Sequence, residues 1–98
     1  MSDKKEKKAA TWTFLTNHSH ILLCLAKSSS MRIRDLATEV GITERAVQRI
    51  IAELIEEGYI ERIKEGRRNA YVLHTNKPLK HPVESHKNVD DLVNLIFD

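Results

Sequence analysis

Apolar positions recur at helical spacing in three successive stretches of this 98-residue chain. The first stretch begins at Thr16 or Asn17, either of which is a good N-cap, and ends at a serine-rich segment whose side chains compete for backbone hydrogen bonds. The second spans residues 33–40 and ends at Gly41, the residue type that most cheaply adopts the left-handed turn closing a helix. The third spans residues 44–57 behind a second N-cap, Thr43. The pattern therefore predicts three helices, the last two joined by a tight turn.

The third predicted helix has an apolar face and a basic face. Its apolar residues recur at i, i+3, i+4, i+7 and i+8, the spacing that faces a core; they are Val47, Ile50, Ile51, Leu54 and Ile55. With these residues turned inward, Arg45 and Arg49 point outward one turn apart, with Gln48 on the flank. Like charges at that spacing repel slightly and do nothing to stabilise a helix. The arginine pair therefore indicates a surface kept for a partner.

Two β-rich runs downstream predict a hairpin. Residues 59–63 and 70–73 flank the polar segment KEGRRN, which contains Gly66. Alternation along the strands should turn part of each run onto the core and leave a basic tip projecting. A polar stretch that carries both prolines follows and shows no periodicity, so we expect an extended connector there.

A short helix with an apolar face is predicted at the end of the chain. Asn88 is its N-cap, and two aspartates lie favourably in its first turn. Isolated helices this short are marginal in water, so the apolar face must pack on something. We expect it to form a dimer interface through Val89, Leu92, Val93, Ile96 and Phe97. The sequence does not decide between packing on the first helix of the same chain and on that of a partner.

Composition and charge are those of an ordinary globular domain. The chain is 41% hydrophobic and 31% charged, and its net charge of +2 means that any nucleic-acid surface must come from local clustering of basic residues. It lacks the run of about 18 apolar residues that spans a membrane, and no stretch of it resembles a signal peptide. Its single cysteine, Cys24, cannot form an internal disulfide. We therefore expect a cytoplasmic protein without membrane contact.

The domain organisation follows from the same patterns. We expect one folded domain at residues 13–76, and an extended connector and C-terminal helix at 77–98. The lysine-rich residues 1–12 read as a disordered tail. Such a charged tail serves solubility in our interpretation, and an arm that contacts DNA is the alternative.

The order of these elements resembles the winged helix-turn-helix transcription regulators of the MarR and ArsR kind. The resemblance covers about residues 14–97 and is carried by IRDLATEVGITERAVQRIIAEL at 33–54, followed at once by the basic hairpin. It implies an α+β, mainly α fold with a three-helix core, a two- or three-stranded β-wing and a C-terminal dimerisation helix. It also implies sequence-specific binding of a homodimer to double-stranded DNA, with residues 43–57 in the major groove and the wing, 59–74, on the flanking backbone or minor groove.

The residue types on the third helix and the wing fit those roles. Arginine contacts guanine, and glutamine contacts adenine, through paired hydrogen bonds in the major groove. We therefore predict base contacts from Arg45, Gln48 and Arg49. Contacts to the DNA backbone are predicted from the N-terminus of the third helix, the start of the second helix and the wing. These residues are Thr43, Arg32, Arg34, Lys64, Arg67, Arg68 and Asn69.

Other interpretations of the same residues stay open. Arg49 could pair with Glu53 on the next turn of the helix. Arg45 could pair with Glu44 or Asp35. Such pairs are worth a few tenths of a kcal/mol and would make both arginines ordinary surface residues. The two arginines near the start of the second helix could equally form a solvated edge.

Other classes of function have less support in the sequence. Five histidines raise the alternative of a metal-responsive repressor. Zinc sites need three or four converging ligands, usually at regular spacing, and the cysteine pair of metal-sensing relatives is missing from the second and third helices, so we expect no metal and no cofactor. No phosphate-binding glycine loop, zinc-hydrolase motif or activated nucleophile occurs, so we expect no enzyme. A winged helix used only for protein interaction is a further alternative, and a small-molecule effector stays undetermined.

Overall fold

The computed structural model describes residues 11–98, so residues 1–10 of the predicted tail lie outside the described residues. The chain has the predicted α+β, mainly helical architecture, with a helical core followed by a two-stranded antiparallel hairpin and a last helix. In chain order the elements are α1 (Asn17–Lys27), α2 (Ile33–Val40), α3 (Glu44–Glu56), β1 (Ile60–Glu65), β2 (Arg68–Leu73) and α4 (Val89–Phe97).

The structure confirms Thr43 and Asn88 as N-caps, and of the two candidates for the first helix the N-cap is Thr16. The Thr16 hydroxyl begins α1, and the Thr43 hydroxyl begins α3 by accepting a hydrogen bond of 3.0 Å from the Ala46 N–H. Asn88 begins α4 as half of a capping box: its side-chain oxygen accepts from the Asp91 N–H, and its own N–H donates to the Asp91 carboxylate, both at 2.9 Å. Each cap satisfies a backbone donor that the helix leaves free, which contributes about 1 kcal/mol.

Gly41 closes α2 and sets the direction of α3. Its φ is +85°, and its N–H and that of Ile42 both donate to the Ala37 carbonyl, at 2.8 and 3.1 Å. A residue with a side chain adopts this left-handed conformation only at a cost, which explains glycine at this position. The tight turn predicted between the second and third helices is therefore confirmed.

A single apolar core joins α1, α2, α3 and the base of the hairpin. On α3 the predicted stripe is buried at four of its positions, and the fifth, Ile55, is partly buried. Burying one such side chain contributes on the order of 1.5–3 kcal/mol. Val89 of α4 joins the same cluster. The fully buried side chains are Ile21, Leu25, Leu36, Val47, Ile50, Ile51, Ile60 and Val89.

The hairpin is longer than its sequence pattern predicted. Its strands pair from Ile60–Leu73 to Glu65–Arg68, so the turn is only two residues, Gly66 and Arg67. Gly66 has a φ of +65° and Arg67 does not share the positive φ, as in the type II′ turn that matches the twist of paired strands. The base of the hairpin is tied to the loop after α1 because the Tyr71 N–H donates to the Ser29 carbonyl at 3.0 Å.

The connector folds back on the domain, which differs from the extended segment that we predicted. Pro78 and Asn88 form an isolated antiparallel bridge, and the Tyr59 hydroxyl donates to the Pro78 carbonyl at 2.6 Å. Lys80 pairs with Glu57 at the end of α3, with 2.9 Å between the ammonium nitrogen and the carboxylate oxygen. Pro78 lies in this bridge and Pro82 in a turn, and backbone hydrogen bonds across the loop replace those of a regular element. Within residues 11–98 no helix has both the length and the apolar character needed to cross a bilayer.

Candidate nucleic-acid interface

The outer face of α3 presents the three side chains predicted to contact bases. Arg45, Gln48 and Arg49 are all exposed, whereas their neighbours Val47 and Ile50 are buried in the core. Ala52 is exposed on the same helix and adds no bulk. The basic face is therefore held by a rigid, buried stripe directly behind it.

Charge is distributed unevenly along α3. The two arginines lie in its first half together with one carboxylate, Glu44, and three carboxylates, Glu53, Glu56 and Glu57, lie in its last turn and cap. Phosphates would be attracted to the N-terminal half, where the helix dipole is also positive, and repelled by the C-terminal end. This polarity favours an approach to DNA with the N-terminal part of α3 foremost, the geometry of helix-turn-helix recognition helices.

Arg49 and Arg45 differ in their surroundings. The Arg49 Nη1 lies 3.5 Å from the Glu53 Oε2, so the ion pair that the sequence left open is formed. Among the described residues, Arg45 makes no ion pair with Glu44, Asp35 or any other carboxylate. Arg49 therefore forms the ion pair that the alternative interpretation expected. Arg45 keeps its hydrogen-bond donors available for a partner.

Glu53 has a second partner on α1. The Nε2 of His18 lies 2.6 Å from the other carboxylate oxygen, Oε1, although the two residues are 35 positions apart in the chain. This hydrogen bond from His18, assisted by the charge of Arg49, lowers the pKa of the Glu53 carboxyl below its usual value. Sequence reasoning did not find His18, because nothing in the helical pattern indicates which turn of α1 crosses α3.

A cleft between the hairpin and the start of α2 brings together four of the residues predicted to contact the DNA backbone. We call it the arginine cleft; it has a volume of about 220 Å³ and is lined by Arg32, Arg67, Arg68 and Asn69. The Arg68 Nη2 donates to the Ser30 carbonyl at 3.3 Å, which holds this side chain toward α2. Three guanidinium groups around one cleft form a concentrated positive patch in a chain of low net charge.

The other predicted backbone contacts lie outside this cleft. Thr43 and Arg34 are exposed near the tip of α3 and on α2, and Lys64 is on β1 opposite Asn69. Sequence reasoning missed Arg62, whose guanidinium lies 5.9 Å from the centre of the Tyr71 ring. Strand alternation places it on the same face of the hairpin as Lys64. Had the alternation of faces been applied over the full length of β1, it would have placed Arg62 beside Lys64.

A second, mainly apolar groove lies at the C-terminal end of α3. It has a volume of about 560 Å³ between the start of α1, the end of α3, the connector and α4, and its lining includes Leu22, Leu54 and Leu92, with His18 and Glu53 among its polar members. No group of three or more His, Cys, Asp or Glu side chains that could hold a metal ion occurs within the described part of the chain.

The apolar face of α4 is divided between the protomer and solvent. Val89 and Leu92 are buried in their own protomer, and Val93 packs partly on the same core. Ile96 and Phe97 keep 47% and 45% of their surface exposed. Five side chains were predicted at a dimer interface. Those at the start of α4 pack within their own chain, and only Ile96 and Phe97 at its end remain exposed for a partner.

Comparisons with known proteins agree with this architecture. Residues 15–61 match the family model described as winged helix-turn-helix DNA-binding. No curated protein sequence matches the chain significantly. The matched segment runs from the start of α1 into β1 and so includes the basic face of α3.

Several solved structures of transcription regulators share the fold. MepR of Staphylococcus aureus, a regulator of the multidrug efflux pump MepA, is 22% identical with a TM-score of 0.54 over 61% of this chain and 47% of its own. AdcR, a zinc-dependent MarR-family regulator in its Zn(II)-bound state, is 29% identical, with a TM-score of 0.51. The match covers 69% of this chain and 49% of AdcR. ZitR of Lactococcus lactis, a zinc-responsive MarR-family member, is 21% identical, with a TM-score of 0.50. The match covers 65% of this chain and 46% of ZitR.

These matches support the resemblance drawn from the sequence. The chain spans about half the length of the three regulators.

Proposed function

Because this chain carries a winged helix-turn-helix domain like those of MarR-family regulators, we propose that it is a sequence-specific, double-stranded-DNA-binding transcription regulator. The observation that carries the proposal is the exposed basic face of α3 beside the arginine cleft. One element offers side chains that read bases, and its neighbour offers guanidinium groups for phosphates. We place the protein in the cytoplasm, where an unpaired cysteine such as Cys24 stays reduced.

In this proposal α3 lies in the major groove. The groove admits one α-helix, and the exposed Arg45, Gln48 and Arg49 are the side chain types that pair with guanine and adenine edges there. The buried stripe behind them keeps the helix from rotating, so the three side chains stay directed at the same bases. The carboxylates at the end of α3 stay away from the phosphates.

The arginine cleft and its surroundings hold the DNA backbone. A phosphate in the cleft would be within reach of Arg32, Arg67 and Arg68, and the first turn of α2 borders the same space. Thr43, Arg34, Lys64 and Asn69 extend the contacts on either side. These residues fix the position of α3 on the duplex without reading its sequence.

The protein acts as a homodimer through the end of α4. Ile96 and Phe97 are large apolar side chains that remain about half exposed, and contiguous exposed apolar surface commonly marks an interface. A twofold axis through α4 would present two copies of α3 to two half-sites. Binding sites for the dimer are then roughly palindromic.

Selection of binding sites from random duplex DNA tests the proposal. We expect one enriched motif with two inverted half-sites, and binding that weakens steeply as salt rises, because phosphate neutralisation releases counterions. Arg45→Ala should relax the preference at one base pair of each half-site by about 1–3 kcal/mol. Lys87→Ala, a change of equal charge on the connector, is the matched control and should leave the motif intact.

The opposite result is equally specific. No enriched motif, together with affinity that ignores salt, would contradict DNA binding and leave the winged helix as a protein-interaction module. An enriched motif that Arg45→Ala and Arg49→Ala both leave unchanged would instead contradict the placement of α3 in the groove.

A further inference from the structure

We infer that Glu53 is a positioning residue for base reading: it holds Arg49 in one geometry on α3 and is itself held by His18 from α1. The inference rests on the proposed function of Arg49. It adds a specificity-determining pair of residues that contact no base.

The Glu53 carboxylate is fixed from two directions. Its Oε2 faces the Arg49 Nη1 at 3.5 Å along α3, and its Oε1 faces the His18 Nε2 at 2.6 Å across the helix interface. An ionised carboxylate only accepts hydrogen bonds, so the imidazole Nε2–H is the donor. Because each oxygen has its own partner, rotating the carboxylate to free Arg49 would also break the contact with α1.

His18 is in turn anchored by the start of α1. It lies in the first turn of that helix, two residues after the N-cap Thr16, whose hydroxyl accepts a hydrogen bond from the Ser19 N–H at 3.2 Å. Of the six residues after this cap, the last two, Ile21 and Leu22, are buried in the core. The imidazole is therefore attached to a helix end that is itself fixed. Contacts continue from His18 to Glu53 and from Glu53 to Arg49 on the surface of α3 proposed to face DNA.

Pairing with Glu53 leaves Arg49 able to bind a base. A guanidinium carries five N–H donors, and a bidentate contact with guanine uses two. The ion pair involves only Nη1, at 3.5 Å from the carboxylate oxygen, and the Arg49 side chain is about 60% exposed, so its other donors are free to face the groove. An arginine held in place loses less side-chain freedom on binding, and it forfeits the carboxylate contact when it turns toward another base or a phosphate.

Arg45 provides the internal comparison. It makes no ion pair among the residues that the structure describes, so it can adapt to several bases or to a phosphate. The two arginines of α3 thus differ in freedom although they share a helix face. We expect a narrow preference at the base pair contacted by Arg49 and a broader one at that contacted by Arg45.

The carboxylate has two effects of opposite sign on DNA binding. It sharpens the choice of base through Arg49, and its negative charge repels phosphates at the same time. Removing the charge should therefore reduce discrimination while leaving non-specific affinity equal or higher. A merely structural role would not produce this combination, because partial unfolding lowers both.

The experiment compares Glu53→Gln with Glu57→Gln in site selection and in competition binding. Glu57 is the matched control, since it is an exposed carboxylate one turn further along, and its partner is Lys80 on the connector. We expect Glu53→Gln to lower discrimination about three- to tenfold at the base pair that Arg49→Ala also relaxes. Non-specific affinity should not fall, and Glu57→Gln should keep the full preference.

Variants at His18 test the second contact. His18→Ala should reproduce part of the loss of discrimination, and His18→Gln, which keeps a side-chain donor, should restore it in part. Equal effects of Glu53→Gln and Glu57→Gln, or full discrimination in Glu53→Gln, would overturn the inference while DNA reading by Arg49 stands. If Arg49→Ala leaves the selected motif unchanged, both the inference and the proposed role of Arg49 fail.

Discussion

At the scale of single residues, Gly41 is the position on which the orientation of α3 depends. A Cβ built there meets no atom within 4 Å, so any cost of Gly41→Ala comes from the positive φ and not from a clash. We expect a loss of about 1–2 kcal/mol in the free energy of unfolding. Urea denaturation followed by circular dichroism measures it.

A second variant separates backbone strain from other causes. Asparagine tolerates the left-handed conformation better than alanine, so Gly41→Asn should retain more stability than Gly41→Ala although its side chain is larger. If Gly41→Ala were as stable as the original chain, or if Asn were worse than Ala, the φ of +85° would not be the reason for glycine here.

Single-residue features were predictable where they depend on neighbours in sequence. The caps Thr16, Thr43 and Asn88 follow from local hydrogen bonding, and the Arg49–Glu53 pair follows from helical spacing. The partner of Glu53 on α1 was not predictable. It depends on how two helices cross, and side chains that the pattern leaves outside the core carry no signal of that crossing.

At the scale of elements, Gly66 decides which residues of the hairpin belong to the strands and which to the turn. The polar run KEGRRN was predicted as the turn because its composition is that of a loop. In the structure Gly66 makes a two-residue turn, and Arg68 is drawn into β2, where it reaches Ser30. Polarity alone cannot distinguish an exposed strand end from a loop, since both face solvent. The formation of the arginine cleft depends on this longer strand.

Removing arginines from the wing should weaken DNA binding without changing its sequence preference. Arg67→Ala and Arg68→Ala each remove a guanidinium from the arginine cleft. The slope of log affinity against log salt should fall by about 1 for each lost phosphate contact. Binding measured over a series of salt concentrations gives the slope, and site selection gives the preference.

The control for the wing variants is again Lys87→Ala, which lowers the net charge by the same amount at a site outside the cleft. Its slope should match that of the original chain. An altered motif in Arg67→Ala would show that the wing reads bases, and an unchanged slope in both wing variants would show that the cleft holds no phosphate.

At the scale of the whole molecule, α4 marks the limit of what the pattern could predict. Its apolar face was evident in the sequence, and the sequence did not decide what that face packs on. The structure uses Val89 and Leu92 within the protomer, because the connector folds back and the Val89 N–H donates to the Lys77 carbonyl at 3.0 Å. No periodicity in the connector indicated this return, since its hydrogen bonds are irregular.

The exposed end of α4 leads to a prediction about assembly. Phe97→Ser and Ile96→Ser remove large apolar side chains that are about half exposed, so the protomer should keep most of its stability while self-association weakens. Sedimentation over a range of concentrations should show a shift from dimer toward monomer. Val83→Ser is the matched control, because Val83 is 76% exposed on the connector, away from the proposed interface.

The same variants connect assembly to DNA recognition. A monomer can hold only one half-site, so Phe97→Ser should lose affinity for a palindromic site while its affinity for a single half-site stays the same. Val83→Ser should bind both as the original chain does. If Phe97→Ser remains dimeric, or if the original chain binds the palindrome no better than one half-site, the end of α4 does not join two recognition helices. The free apolar surface of α4 would then need a partner other than a second copy.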